Sequence, residues 1–114
     1  MIQTREEERQ AIFYSNFESG LEVTGEEIQN MMAFITMVNY RLVIGNFEMD
    51  LSDGEVNYKT SIDCDGAVLS SELIRNLLHL NLATFDRHIP GMEAIVNGDP
   101  PGDALDKVTK TETL

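Results

Sequence analysis

Residues 42–63 read Leu-Val-Ile-Gly-Asn-Phe-Glu-Met-Asp-Leu-Ser-Asp-Gly-Glu-Val-Asn-Tyr-Lys-Thr-Ser-Ile-Asp, and this stretch decides the fold of the chain. Two runs in which apolar and polar residues alternate flank Asp53-Gly54, a pair that favours the tight turn of a β-hairpin. A two-residue turn at this pair fixes which residues of the two strands face each other. The pairs predicted on the apolar face are Leu51 with Val56, Met49 with Tyr58, Phe47 with Thr60 and Gly45 with Ile62.

The other face of the predicted hairpin is polar. The same register places Asp50 opposite Asn57 and Glu48 opposite Lys59, and an opposite-charge pair of the second kind mildly stabilises a sheet. The polar positions of the two strands are Asn46, Glu48, Asp50, Asn57, Lys59 and Ser61. These six residues are the candidate surface for a partner protein.

One strand and one helix are predicted before the hairpin. Residues 11–17, Ala-Ile-Phe-Tyr-Ser-Asn-Phe, are rich in aromatic side chains and are followed by Ser19-Gly20, which is typical of a strand. Thr24 and Glu27 have the spacing of a capping box, in which the Thr24 hydroxyl accepts a hydrogen bond from the Glu27 amide. The apolar residues that follow at helical spacing are Ile28, Met31, Met32, Ile35 and Val38. This helix should end near Asn39. Its Met-rich stripe fits a core face, and such stripes also serve as adaptable binding surfaces.

A second helix is predicted after the hairpin. Ser70 or Ser71 caps it, and apolar residues cover much of its circumference, which indicates burial by the sheet and by another helix or a second subunit. Pro90-Gly91 is expected to break this helix, so that residues 92–96 form at most a separate short turn. The predicted organisation is a polar segment at residues 1–10, a domain at 11–98 and a mobile tail rich in proline, glycine and charge at 99–114.

The composition fits one small acidic domain. The chain has 114 residues, 42% of them hydrophobic, and a net charge of −12. Its scattered cations form no basic stripe, which argues against binding to nucleic acid, and no apolar run reaches the length of a membrane span. The N-terminal residues are too charged for a secretory signal, so the expected compartment is the cytoplasm. The acidity favours solubility, or attraction of basic partner segments.

The residues that could carry chemistry do not form a recognisable catalytic or metal motif. Cys64 is the only cysteine, and the sequence does not place a base beside it. Asp63-Cys64-Asp65-Gly66 reads as a turn, because its spacing departs from that of a calcium loop. His79 and His88 share no acid cluster, so neither is assigned a metal. An enzyme using Asp50, Asp53 or Asp63 as paired carboxylates is the weakest alternative, since the turn keeps these acids in solvent. We predict no catalytic residue, cofactor or metal.

Several short runs carry a resemblance to a known family. They are Asn-Tyr-Arg-Leu-Val-Ile-Gly-Asn-Phe-Glu-Met-Asp at 39–50, Gly-Glu-Val at 54–56, Tyr-Lys-Thr-Ser-Ile-Asp at 58–63, Asp-Arg at 86–87 and Ile-Pro-Gly at 89–91. Over about residues 13 to 98 the chain resembles the YbjN family, bacterial proteins common in cyanobacteria and described as sensory transduction regulators.

The resemblance implies a fold like that of type III secretion chaperones, an antiparallel sheet with packed helices that is often a homodimer. Such chaperones are small, acidic and cytoplasmic, and they bind extended segments of partner proteins. The family supplies no catalytic residues. Its members usually have a helix and further strands before the segment equivalent to residues 11–17. The chain is therefore expected to be an N-terminally shortened member whose three-stranded sheet exposes pairing edges.

These observations together predict an α+β domain of order strand-helix-strand-strand-helix, with both helices on one face of an antiparallel sheet. We expect a homodimer and a non-enzymatic regulatory or chaperone-like function in which the module binds a segment of a partner protein. The alternative is a small-molecule sensor with its pocket between the Met-rich helix and the sheet.

Overall fold

The structure, a computed structural model, describes residues 10–17 and 23–109 in full and residues 2–7 as backbone. Its elements, in chain order, are β1 (Ile2–Glu7), β2 (Gln10–Asn16), α1 (Glu26–Arg41), β3 (Asn46–Asp50), β4 (Glu55–Asp63), α2 (Ser71–Val96) and α3 (Pro101–Thr109). The strands form an antiparallel sheet in the order β1-β2-β4-β3. The predicted α+β class, with helices packed on the sheet, is confirmed.

Strand β1 was not predicted, because residues 1–10 were expected to be a polar segment outside the domain and the sheet to have three strands. The backbone of β1 pairs with β2 from Ile2 opposite Ser15 to Glu7 opposite Gln10, so the described sheet has four strands. The segment contains a single strongly apolar residue, Ile2, and gives little hydrophobic signal. Backbone pairing needs no such signal. The edges of the described sheet are therefore β1 and β3.

One face of the sheet packs against the helices. Alternate residues of the two central strands are buried, namely Ala11, Phe13 and Ser15 in β2 and Val56, Tyr58 and Thr60 in β4, and Asn16 at the end of β2 is buried as well. The helices α1 and α2 meet this face, where Met31, Phe34 and Val38 of α1 join the same core. Residues between these positions, such as Tyr14 and Lys59, are half-buried on the opposite face. Among the described residues, that opposite face carries no helix.

The hairpin has the predicted buried face but a different register. The observed pairs are Asn46 with Lys59, Phe47 with Tyr58, Glu48 with Asn57, Met49 with Val56 and Asp50 with Glu55. The strands are displaced by two residues from the predicted pairing, and residues 51–54 form a four-residue loop in place of the two-residue turn. Because strand side chains alternate with a period of two, the displacement keeps the buried face intact. It leaves Leu51 in the loop, where its side chain is 60% exposed.

Local hydrogen bonds explain the wider loop. The Asp50 carboxylate accepts hydrogen bonds from the backbone N–H of Ser52 at 2.8 Å and from its hydroxyl at 2.6 Å. The Asp50 carbonyl accepts the N–H of Gly54 at 2.7 Å. Gly54 has a φ of +79° and lies against the backbone of Val23, where a Cβ atom would not fit. An aspartate that bonds the backbone two residues further on forms an Asx turn, a feature that hydrophobic alternation cannot reveal.

Helix α1 begins without the predicted capping box. Gly25, with a φ of +60°, is the N-cap, and no side chain caps the helix. The N–H of Glu27 instead donates to the backbone carbonyl of Thr24 at 3.2 Å. The helix ends at Arg41, slightly later than predicted. The predicted stripe residues Met31, Ile35 and Val38 are buried, whereas Met32 is exposed.

Helix α2 runs without interruption through Pro90-Gly91, so the predicted break is wrong. The predicted cap at its start is confirmed, because the hydroxyl oxygen of Ser70 accepts the N–H of Leu73 at 3.1 Å. A Cβ atom at Gly91 would lie 2.5 Å from the ring of Phe34 and 2.8 Å from Val108. Pro-Gly therefore marks a close crossing of α2 with α1 and α3. Tertiary packing there outweighs the helix hydrogen bond that Pro90 cannot donate.

Helix α3 corrects the prediction of a mobile tail from residue 99. Ala104 is fully buried and Val108 nearly so, and both belong to the core. The Lys107 ammonium lies 3.0 Å from the Asp99 carboxylate, between the end of α3 and the loop before it. Only three of its nine residues, Ala104, Leu105 and Val108, are apolar, which is a weak helical signal in the sequence. The rest of the predicted tail, residues 110–114, lies outside the described residues.

Candidate functional site

The six residues of the candidate partner surface all lie on the helix-free side of β3 and β4. Asn46 pairs with Lys59 and Glu48 with Asn57, so these four are brought together. Asp50 pairs with Glu55 at the end of the hairpin, and Ser61 pairs with Ile12 of β2. The Lys59 ammonium lies 3.0 Å from the Glu48 carboxylate, although the two residues are diagonal neighbours and not directly opposite as predicted. We call these six residues the polar face.

Charged side chains of the polar face are bonded to neighbouring residues. The hydrogen bonds from the Ser52 side chain and backbone lower the pKa of Asp50, against a small opposing effect of desolvation. Lys59 is ion-paired with Glu48. At the centre, the side-chain oxygen of Asn57 is buried and accepts no hydrogen bond from the described residues. The polar face therefore presents the charged groups of Glu48, Asp50 and Lys59 to a partner, whereas the Asn57 oxygen lies beneath the surface.

Asn81 of α2 links the helix to the two central strands, a role that sequence patterns did not reveal. Its side-chain nitrogen donates to the carbonyl of Phe13 and to the hydroxyl of Thr60, both at 3.0 Å. Its side-chain oxygen accepts the hydroxyl of Ser15. Asn81, Ser15 and Thr60 are all buried, so the network is structural and does not meet a ligand from solvent.

Tyr58 and His88 form a second set of buried polar residues, and both are bonded to Thr84. The Tyr58 hydroxyl donates to the Ile44 carbonyl at 2.6 Å. Burial raises the pKa of Tyr58, while a hydrogen bond with Thr84 and the charge of Arg87 partly offset this. The Nδ1 atom of His88 lies 2.7 Å from the Thr84 carbonyl. His79 is exposed on α2, so the two histidines are not brought together, and the described residues contain no cluster of three metal ligands.

Cys64 lies in the connection between β4 and α2. The predicted turn is present, since the Asp63 carboxylate accepts the N–H of Asp65 and the Cys64 carbonyl accepts that of Ala67, each at 3.0 Å. An open recess of about 400 Å³ lies in this connection and is lined by Cys64, Gly66, Ala67 and Val68. It is not the pocket that the small-molecule alternative requires, because Met31, Phe34 and Val38 pack into the core where α1 meets the sheet.

Exposed apolar side chains gather at one end of the sheet. The α1–β3 connection enters the start of β3, and the β4–α2 connection leaves the end of β4. Because these strands are antiparallel neighbours, the two connections lie at the same end. Six of the nine large apolar residues that are exposed in the described chain flank them: Tyr40, Val43, Ile44, Val68, Leu73 and Ile74. We call these six residues the apolar end. Tyr40, Val43 and Val68 are 93%, 96% and 87% exposed.

Hydrogen bonds to β3 and β4 fix the backbone of the α1–β3 part of the apolar end. Asn39 accepts the N–H of Phe47 at 2.7 Å and donates to the carbonyl of the same residue at 2.9 Å. The Tyr58 hydroxyl holds the Ile44 carbonyl, and Gly45, with a φ of +75°, fits so closely against the Tyr58 ring that a Cβ atom would collide with it. Tyr40, Val43 and Ile44 are thus presented on a fixed backbone. Hydrophobic periodicity did not identify them, because they lie where the helical pattern ends.

The comparisons with known proteins give one family. The sequence model of YbjN, described as a putative bacterial sensory transduction regulator, matches residues 2–94. Neither the curated proteins nor the solved structures contain a significant match. None of the described helices is both long enough and apolar enough to cross a membrane.

Proposed function

Because this chain belongs to the YbjN family, we propose that it is a non-enzymatic regulatory or chaperone-like module that binds a segment of a partner protein. The observation that carries the proposal is the apolar end. Most monomeric proteins scatter their exposed apolar residues, whereas a concentrated group marks an interaction site. A cytoplasmic place of action is part of the same proposal.

The two surfaces supply different parts of such an interaction. The side chains of the apolar end lose water on binding and provide the anchors, as aromatic and large aliphatic residues do in protein interfaces. The polar face carries the charged side chains of Glu48, Asp50 and Lys59, which favour a partner of complementary charge. We assign affinity to the apolar end and selectivity to the polar face.

The state of the acidic residues favours binding over catalysis. Asp50 is bonded to Ser52, and the Asp53 carboxylate accepts the backbone N–H of Glu55 at 2.8 Å. Both carboxylates therefore serve the loop geometry and are exposed to solvent. These bonds occupy both carboxylates within the loop, which favours a structural role for them over acid–base catalysis.

Site-specific photo-crosslinking in bacterial cells tests the proposal. A photoreactive residue replaces Val43 at the apolar end, Ser61 on the polar face or, as a control, Leu51 in the hairpin loop. We expect position 43 to give a discrete adduct with another protein, which Tyr40→Ser in the same chain weakens. Position 51, also exposed but at the opposite end of the sheet, should give none. Equal labelling from all three positions, or none from position 43, would refute a protein-binding role for the apolar end.

We further propose that the chain is a homodimer that uses the outer side of α2. Leu82 is 40% exposed on this side of the helix, and Leu78, four residues earlier, is half-buried beside it. The replacement Leu82→Glu should convert the dimer to a monomer in sedimentation experiments. A mass of one chain for the unaltered protein at micromolar concentration would contradict the dimer.

A further inference from the structure

The Asn97-Gly98 pair, at the corner between α2 and α3, has the sequence that most favours spontaneous loss of an asparagine amide. Gly98 has no side chain to hinder an attack by its backbone nitrogen on the side chain before it. The other seven asparagines precede Phe, Met, Tyr or Leu, whose bulk hinders the same attack. Asn97 and Gly98 are both exposed, and a Cβ atom at Gly98 would meet nothing within 4 Å. The pair and its surroundings therefore suit a reaction that uses only water.

The reaction converts the Asn97 amide to an acid in two steps. The Gly98 nitrogen attacks the Asn97 Cγ atom, so that an N–Cγ bond forms and the Cγ–Nδ2 bond breaks. The Nδ2 group takes the proton that the Gly98 nitrogen loses and leaves as ammonia. Water then opens the five-membered succinimide at either carbonyl, which gives aspartate or isoaspartate at position 97. Both products carry a carboxylate in place of a neutral amide.

The folded backbone of this corner opposes the first step. Asn97 is the C-cap of α2 with a ψ of 2°, which turns the Gly98 nitrogen away from the Asn97 side chain, and ring closure needs a large rotation about the Cα–C bond. The Gly98 N–H donates to the Ile95 carbonyl at 3.0 Å, and the Asp99 N–H donates to the Ala94 carbonyl at 2.9 Å. These two bonds form a Schellman motif. The rotation breaks them, so the corner must open before the amide can react.

Helix α3 controls how often the corner opens. It has nine residues, fewer than an isolated helix needs in water, so its packing maintains it. Its buried side chains are Ala104 and Val108, and the Lys107 ammonium is paired with the Asp99 carboxylate beside the Schellman motif. When these contacts separate, the backbone at Asn97 can rotate. Such local opening costs less free energy than unfolding of the whole domain.

A carboxylate at position 97 weakens the same corner. The last turn of α2 has no basic residue, and Glu93 and Asp99 add negative charge on either side of Asn97 in the sequence. The C-terminal end of a helix disfavours negative charge because of the helix dipole. Isoaspartate also adds a methylene group to the backbone, which displaces the Gly98 N–H from the Ile95 carbonyl.

From these observations we propose that Asn97 is a site of spontaneous deamidation, that detachment of α3 limits its rate, and that the new carboxylate makes later detachment more frequent. The fraction of converted chains therefore reflects how often α3 has detached. Asn97 lies at the opposite end of α2 from Leu73 and Ile74 of the apolar end, and the reaction does not depend on partner binding.

Peptide mass spectrometry of the full chain, incubated at neutral pH, tests the site. We expect the amide-to-acid change to appear at Asn97 before any other asparagine. In guanidinium chloride, the unfolded chain should react at Asn97 at least about tenfold faster than the folded chain. Equal rates in the two states would overturn the inference. So would a folded chain that stays unconverted over an incubation many times longer than the unfolded chain needs.

A pair of matched variants tests the role of α3. Val108→Ala removes two methyl groups from the packing of α3 and should raise the rate of deamidation in the folded chain about fivefold or more. Val56→Ala removes the same groups from the buried face of β4 and should raise the rate much less. Circular dichroism verifies that both variants are folded. Equal acceleration would show that the whole domain must unfold first, and it would overturn the role of α3.

Hydrogen exchange tests the effect of the new charge. The backbone amides of α3 should exchange about twofold to fivefold faster in Asn97→Asp than in the unaltered chain, since a charge at a helix end has effects of this size. Asn76→Asp adds the same charge at an exposed position in the first half of α2 and should leave α3 unchanged. Unchanged exchange in Asn97→Asp, or an equal increase in both variants, would overturn the claim that the product loosens α3.

Discussion

Asn39 occupies the place beside β3 that another strand would take. It bonds both the N–H and the carbonyl of Phe47, which shows that these groups point away from β4 and toward the sheet edge. Replacing Asn39 with alanine would leave two backbone groups without their partner. We expect Asn39→Ala to lower the free energy of unfolding by about 1–3 kcal/mol in urea denaturation.

Asn76→Ala is the control for this change, because Asn76 is exposed on α2. It should leave the stability unchanged or slightly higher, since alanine favours a helix more than asparagine does. Equal loss of stability in both variants would show that the hydrogen bonds between Asn39 and Phe47 do not account for the effect.

The raised pKa of Tyr58 predicts that the protein loses stability in alkaline solution. Burial raises the pKa of its phenol above the ordinary value of 10.0, so the folded chain keeps this proton to a higher pH than the unfolded chain. The stability that the protonated Tyr58 side chain contributes is fully present below its ordinary pKa. It is lost as the pH rises through the pKa of Tyr58 in the folded protein. Urea midpoints from about pH 9 to about pH 11 should fall, and the fall should be smaller in Tyr58→Phe.

Tyr40→Phe controls for the loss of a hydroxyl at an exposed tyrosine. It should retain the alkaline decline of the unaltered chain, whereas Tyr58→Phe should also lose stability at neutral pH because its bond to the Ile44 carbonyl is gone. Parallel alkaline curves for all three proteins would contradict the assignment to Tyr58.

Single polar residues were the least predictable features of the sequence. Asn39, Asn81 and Tyr58 fix the sheet to the helices through partners that are distant in the chain or belong to the backbone. Hydrophobic periodicity records which side chains avoid water and says nothing of such partners. The polar face was predictable for the opposite reason, because alternation alone places its residues on one side of the hairpin.

At the scale of elements, Gly91 sets how closely α2 approaches its neighbours. A methyl group there would meet Phe34 of α1 and Val108 of α3 at distances that packed carbon atoms do not allow. We expect Gly91→Ala to destabilise the protein by about 1–3 kcal/mol in thermal or urea unfolding, despite the higher helix propensity of alanine.

The matched variant is Gly102→Ala in α3, where a Cβ atom would meet no neighbour within 4 Å. It should be neutral or stabilising. If both glycine variants gain stability, the close crossing of the three helices is not as the structure describes it.

The crossing also explains which elements were predictable. The start of α2 followed from Ser70, but its end was placed too early, because the neighbours of Pro90-Gly91 on α1 and α3 cannot be read from a local pattern. The same lack of local signal hid α3, in which burial depends on Ala104 and Val108. Strands β2 to β4 were found because their aromatic and alternating residues carry the pattern themselves.

At the scale of the whole molecule, charge opposes the proposed homodimer. Two chains that each carry −12 repel each other at low ionic strength, and salt screens this repulsion. We expect the dimer of the unaltered chain to dissociate at lower concentration in dilute buffer than in buffer with about 0.15 M salt. Sedimentation equilibrium at both salt concentrations measures the difference, and a dimer that weakens as salt is added would contradict this picture.

The four-residue hairpin loop has a consequence for how the length of this chain can change through evolution. Leu51 and Ser52 are exposed, and removing both would leave Asp50 and Glu55, which already face each other, joined by Asp53-Gly54. That pair suits a two-residue turn, so the shortened gene product should fold with the same pairing and lose only about 1–2 kcal/mol of stability. Chemical denaturation of the deletion variant would measure this, and an unfolded product would refute it. Descendants of such a hairpin can gain or lose residues in pairs at its tip without altering which side chains enter the core.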